Sequence, residues 1–241
     1  MGERREIGAM ILAAGRGERM RPLTNTTPKP LLAAGGKALL GWQIEALARA
    51  GFRRIVVNVA HLAEQFVAAF GDGSALGVKI FWSFEDEPLE AAGGIVTALP
   101  LLPQGPVLIV SGDIHTAFDY ASLRSRAEAM ADTATAPRVH LVMVGNPDYH
   151  PDGDFPLIDG RISANGATRK TFGNIGLYDT ALFSGAPRAT RLKLLPYFER
   201  WIAEGIVSGE HFEGRWMNVG TPTDLAALDR SLGLRSSAAQ T

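Results

Sequence analysis

A chain of 241 residues with 46% hydrophobic and 20% charged residues has the balance of one sizeable α/β core with at most a small appended lobe. A net charge of −1 provides no basic field for nucleic acid, and the absence of cysteine excludes disulfides, thiolate metal sites and a cysteine nucleophile. No apolar run is long enough to cross a bilayer and residues 1–6 carry no apolar signal core, so a cytoplasmic protein without a membrane or nucleic-acid partner is expected.

The apolar run at residues 7–14 predicts a buried strand. The loop after it contains Gly15 and Gly17 among Arg16, Arg19 and Arg21, and Lys29 adds a fourth positive charge. Glycines let a backbone approach a ligand closely, and successive N–H groups in such a turn form a concave anion nest. At the carboxyl end of a strand, this loop suits a triphosphate. It is not a Walker A loop, because no Gly-Lys-Ser/Thr follows. Nor is it a dinucleotide fingerprint, because Met20 occupies the third glycine position. Taken alone, Gly15-x-Gly17 reads as an ordinary glycine turn.

Leu39, Leu40, Ile44 and Leu47 recur at helical spacing, and Gly51 stops the run. Residues 54–59 are β-branched and read as a strand, 62–70 as a helix closed by Gly71, and 78–84 as a strand. Residues 89–102 read as a helix whose start is weakened by Gly93-Gly94. The apolar run 107–110 ends at Ser111-Gly112-Asp113, after which 120–130 read as a helix and 139–144 as a strand. Strand–helix alternation with short connections predicts an α/β fold with right-handed crossovers on a three-layer, mostly parallel sheet. Past residue 146 the texture changes. A polar loop at 146–154 precedes shorter strands at 157–163 and 173–178, with hairpin-like turns at Asp159-Gly160 and Asn165-Gly166. These predict a small antiparallel lobe beside the sheet. Residues 192–203 read as an amphipathic helix with Pro196 in its first turn, 222–232 as a last helix capped by Thr221, and 236–241 as a frayed tail.

Ligands gather at the carboxyl ends of strands in an open parallel sheet, so Asp113 is expected in the same crevice as Gly15 and Arg19. A carboxylate facing a triphosphate needs a cation between them, and Mg²⁺ meets that need with carboxylate and phosphate oxygens. Read alone, Asp113 is equally a cap for the next turn. His61 and His211 receive no chemical role, and Arg124, Arg126 and Arg138 read as a solvated face.

The longer pattern Ala13-Ala14-Gly15-x-Gly17-x-Arg19-Met20-x-Pro22-Leu23-Thr24, followed by Pro28-Lys29-Pro30-Leu31, resembles the signature of sugar-1-phosphate nucleotidylyltransferases. Gly112-Asp113 and Trp216-Met217-Asn218-Val219-Gly220-Thr221 are similar to two further segments of that family. The resemblance implies the Rossmann-like nucleotide-diphospho-sugar transferase fold, one domain over 1–241, with a nucleotide-binding part at about 7–146 and a sugar-binding lobe with C-terminal helices at about 147–232. It implies transfer of a nucleotidyl group to a sugar 1-phosphate, release of pyrophosphate, and Mg²⁺ as cofactor. In the roles so implied, Ala13, Ala14, Gly15, Arg16 and Gly17 bind the nucleotide and Arg19 meets the leaving pyrophosphate. Lys29 holds the α-phosphate or the incoming phosphate. Glu90 and Gly93 lie where family members approach the base, while Asp113 and Asn218 hold the metal. Where family members carry aspartate at the last of these positions, asparagine here keeps the oxygen and loses the charge.

Asp154, Asn174 and Lys193 are implied contacts for the sugar phosphate, with Lys170 a competing lysine. Segments 58–62, 72–74, 153–155 and 208–212 are most similar to the branch of the family that joins UTP to N-acetylmuramate 1-phosphate in cell-wall recycling. A guanylyltransferase for mannose or heptose 1-phosphate, and a sensor on the same fold without turnover, stay open beside it. The partners implied are small molecules, with a monomer or small homo-oligomer as the state of the chain. A sugar phosphate is already an anionic nucleophile, so neither a general base nor a covalent intermediate is required.

Overall fold

The computed structural model describes residues 6–132 and 137–238, so the N-terminus at 1–5 and the tail at 239–241 lie outside the described residues. The first half runs β1 (Ala9–Leu12), β2 (Ala33–Ala34), β3 (Lys37–Ala38), α1 (Leu39–Arg49), β4 (Arg54–Val59), α2 (Ala63–Phe70), β5 (Lys79–Phe84), α3 (Glu90–Ala98) and β6 (Pro106–Ser111). The second half runs β7 (Ile114–Thr116), α4 (Tyr120–Asp132), β8 (Val139–Val144), β9 (Phe155–Ile158), β10 (Arg161–Ile162), β11 (Arg169–Asp179), α5 (Leu195–Ala203), β12 (Val207–Phe212), β13 (Trp216–Asn218) and α6 (Pro222–Ala238).

One nine-stranded sheet carries the molecule, in the order β5-β4-β1-β6-β11-β8-β12-β10-β9. The first four are parallel neighbours, with Leu12 level with both Asn58 and Ser111, so their carboxyl ends form one rim. Successive side chains along a strand face opposite ways. Ala9 and Ile11 join a core with Leu40, Ile44, Phe66 and Leu123 from α1, α2 and α4. Met10 joins the opposite core with Ile95 and Trp201 from α3 and α5.

The antiparallel strands do not form a lobe beside the sheet, as the sequence reading expects. β11 enters the sheet itself, antiparallel to β6 on one side and to β8 on the other, and its first residues pair with β9. The sheet is therefore mixed. Ile175 and Leu177 face one core and Tyr178 the other, all nearly inaccessible. A strand covered on both faces belongs in the middle of a sheet. Asp159-Gly160 does form a two-residue hairpin, both residues left-handed at φ 47° and 74°, closing the Ile158–Arg161 pair. Asn165-Gly166 sits between β10 and β11, which are not neighbours, so it joins no hairpin. Pro100 ends the long helix expected after residue 89, giving α3 and a 3-10 turn at Leu99–Leu101. α6 continues to Ala238, so residues 236–238 of the expected tail are helical.

A buried polar cluster joins β8 to β12. His140, 1% exposed, meets Ser208 Oγ at 2.8 Å and Glu210 Oε1 at 3.0 Å through its two ring nitrogens. Burial pushes the imidazole below its ordinary value of 6.5, and the His140 contact holds the Glu210 carboxyl below the usual range. Both groups bind fewer protons folded than unfolded, so stability is present above the unfolded values and is lost as pH falls. Thermal unfolding at stepped pH is expected to show Tm dropping below about pH 6.5, with a shallower drop in His140→Gln. An unchanged acid slope in that variant would remove His140 as the cause.

Candidate active site

The rim formed by β1, β4, β5 and β6 opens into a cleft of about 500 Å³. Its floor is the loop after β1. Gly17 is left-handed at φ 63°, and a Cβ there would lie 2.9 Å from Lys29 Cβ, so this glycine lets the loop fold onto the lysine stem. Thr24 Oγ1 donates to the Gly17 carbonyl at 2.9 Å and pins the turn. Nothing lies within 4 Å of a Cβ on Gly15, which faces open cleft. Ala13, Ala14, Gly15, Gly17, Arg19 and Lys29 all line the cleft. Arg16 is exposed and does not. Arg19 lies over the backbone of Gly220, where a Cβ would sit 3.3 Å from its Nη2.

Lys29 and Asp113 meet directly, Nζ donating to Oδ2 at 2.6 Å. Asp113 follows β6 and is tied to the chain after β13, because Val219 N donates to its carbonyl at 2.8 Å. β13 pairs with β7 in the register Asn218–Ile114, which brings Asn218 beside Asp113. Asn218 Oδ1 is buried and has no hydrogen-bond partner among the described residues. A carboxylate beside an orphaned amide oxygen is the hard-oxygen donor set that Mg²⁺ takes, so these residues fit the ion. Tyr149 joins this corner: burial raises its hydroxyl above the usual value, while a hydrogen bond from Asn218 lowers it.

The opposite wall rests on a relay that the sequence reading does not contain. Ala13 N donates to Asn58 Oδ1 at 2.9 Å, Asn58 Nδ2 donates to Glu85 Oε1 at 2.7 Å, and Leu89 N donates to Glu85 Oε2 at 3.0 Å. Glu85 is 7% exposed, and burial raises its carboxyl above the usual range. Gly94 makes room for this pair, since a Cβ there would sit 2.6 Å from Asn58 Nδ2. The available signal was positional: Asn58 lies near the end of β4 and Glu85 just past β5, both on the ligand rim.

Glu90 lines the cleft at the start of α3, left-handed at φ 63°, with Arg191 Nη2 at 3.5 Å from its Oε1. Gly93 is not in the lining. A Cβ on it would collide with the Thr190 carbonyl, and Gly93 N donates to Leu192 O at 3.1 Å. Its missing side chain admits a strap of protein. Asp154 is likewise occupied by the fold: Phe172 N donates to its Oδ2 at 2.7 Å, and His150 Nε2 lies 3.1 Å from its Oδ1. Lys193 is exposed just before α5 and outside the lining. Asn174 is left-handed at φ 56° in the β11 bulge, next to the Ile175–Val110 pair, at the end of β6 that leads to Asp113.

A parallel rim, a loop of glycines and arginines and a lysine–aspartate pair share one cleft, the layout of an enzyme site. Residues 8–147 match the family model described as Nucleotidyl transferase, and the chain belongs to that family. It is 46% identical over 217 residues to the N-acetylmuramate alpha-1-phosphate uridylyltransferase of Neisseria meningitidis serogroup B, covering 88% of this chain and 93% of that protein. Identity to the Caulobacter vibrioides protein of the same name is 34% over 240 residues, covering 93% and 96%. A Bacillus anthracis crystal structure described as a glucose-1-phosphate thymidylyltransferase in complex with sucrose shares the fold, with a TM-score of 0.82 at 17% identity over 94% of this chain and 95% of that one. The chain is a nucleotidyltransferase with the mixed α/β nucleotide-diphospho-sugar transferase fold. No helix among the described residues is long and apolar enough to cross a membrane.

Proposed function

We propose that this enzyme transfers the uridylyl group of UTP to N-acetylmuramate α-1-phosphate in the cytoplasm, giving UDP-N-acetylmuramate and pyrophosphate. The observation that carries the transfer chemistry is the 2.6 Å Lys29–Asp113 pair facing the Gly15–Gly17 loop across one cleft. Support for the substrate pair comes from near full-length similarity to the uridylyltransferases named above. An oxygen of the sugar phosphate attacks the α-phosphorus, and the bond to the bridging β-phosphate oxygen breaks. The loop amides and Arg19 receive the charge of the leaving pyrophosphate, and Lys29 neutralises the α-phosphate. Asp113 and Asn218 would hold Mg²⁺, which when bound neutralises triphosphate oxygens. The rate gain comes from alignment and charge neutralisation rather than from proton transfer.

The sugar lies toward the part at about 147–232, with Asn174 the contact nearest the β6 rim and Lys193 and Lys170 alternative cations. Asp154 acts on this reading by holding the β9–β11 junction that bounds the sugar. The test is a matrix of nucleoside triphosphates against sugar 1-phosphates, scored for pyrophosphate. UTP with N-acetylmuramate 1-phosphate is expected to be the best pair. GTP with mannose or heptose 1-phosphate outperforming it overturns the substrate and keeps the transfer. No pyrophosphate from any pair overturns the catalysis.

A further inference from the structure

Lys29 is a cation lodged where a second cation is required. Its side chain is 9% exposed and its ammonium meets Asp113 at 2.6 Å. Gly17 and Thr24 crowd the loop against its stem, since a Cβ on Gly17 would lie 2.9 Å from Lys29 Cβ and 3.0 Å from Thr24 Cγ2. Asp113 is therefore neutralised from within the protein. The neighbouring donor, Asn218 Oδ1, is an orphaned oxygen that brings no charge. Among the described residues no group of three or more His, Cys, Asp or Glu could hold a metal ion, so no further carboxylates gather to compensate. A divalent ion arriving alone meets one carboxylate already paired. Ion and ammonium, both beside that carboxylate in a half-buried corner, repel each other. A triphosphate changes the balance, because its charge gives the ammonium another anion to face.

We propose that Lys29 and the divalent cation compete for Asp113, so that the metal position opens only when a triphosphate draws the ammonium away. The inference rests on the nucleotidyl-transfer reading of this cleft. Lys29 then has two duties: it keeps Asp113 satisfied in the resting enzyme, and it turns to phosphate when the nucleotide arrives. A ligand that binds one of two states shifts the protein only by its differential affinity, and here the triphosphate supplies that difference. The neutral Asn218 strengthens the gate, because a second carboxylate would attract the ion without nucleotide.

The test uses Mn²⁺ as the probe, titrated against the full chain and read as the EPR signal of free ion, with and without α,β-methylene-UTP. Wild type is expected to take up Mn²⁺ only with the analogue present. Without nucleotide, Lys29→Met is expected to bind Mn²⁺ about tenfold more tightly than wild type. Adding Asp113→Asn to that variant should abolish the gain. Lys29→Gln is a second uncharged replacement, and thermal unfolding reports whether each variant is folded. Asn218→Asp, with Lys29 intact, is expected to shift uptake in the same direction. Equal Mn²⁺ affinity in wild type and both Lys29 variants without nucleotide overturns the competition; if the analogue still recruits Mn²⁺, nucleotidyl transfer stands. Absence of uptake by wild type even with the analogue overturns the reading of the cleft as well.

Discussion

Lys29→Met is expected to lower kcat/KM for nucleotidyl transfer by about 10²–10³-fold, and Arg19→Ala to fall in the same range. The attacking group is already anionic, so the barrier lies in bringing two anions together in line. A preorganised positive charge in a water-poor corner lowers that barrier more than the same charge in solvent. Lys29 is the better placed of the two, since it is buried against Asp113 while Arg19 is exposed over Gly220. Methionine keeps an unbranched chain in the lysine channel, so the effect reads charge rather than collapse. Steady-state pyrophosphate release, with circular dichroism to confirm folding, measures both. A folded variant within about tenfold of wild type would have no part in the charge neutralisation described.

Gly93→Ala is expected to destabilise the fold by about 1–3 kcal/mol or more, measured by urea unfolding. The added methyl group meets the carbonyl of Thr190, a backbone atom that has no rotamer to escape into. Leu192 N donates to Leu89 O at 3.0 Å and Gly93 N to Leu192 O at 3.1 Å on one side of the clash, and Ala189 N donates to Thr97 Oγ1 at 3.2 Å on the other, so the strap is tied on both sides. Gly15→Ala is the contrast, because nothing lies within 4 Å of its Cβ. Unchanged stability in Gly93→Ala, together with a raised KM for the nucleotide, would return this glycine to the base-approach role implied by resemblance.

These two positions show what a sequence can and cannot reveal. The place of the loop after β1 in the cleft was legible because its residues are contiguous and follow an apolar strand. β4 was legible at both ends because a run of β-branched residues buried on both faces leaves little else to form. Asp113 was legible because it closes an apolar strand on the ligand rim. The Asn58–Glu85 hydrogen bond was not, since two side chains 27 residues apart meet only after β4 and β5 pair. The approach of Thr190 and Leu192 to Gly93 was not legible, because a glycine signals close approach without naming what approaches. The place of β11 was missed for a similar reason: periodicity reports burial on both faces, and says nothing of which strands lie on either side.

That place has a consequence for how the chain is made. β6 and β8 leave the ribosome before β11, the strand that joins them. Until residue 179 has emerged, β6 has an edge with no partner, and β8 keeps one open until β12 follows. Unpaired strand edges in a nascent chain invite wrong pairing. The edges β6 and β8 present for β11 are therefore open to wrong pairing while the stretch between them and residue 179 is still being made.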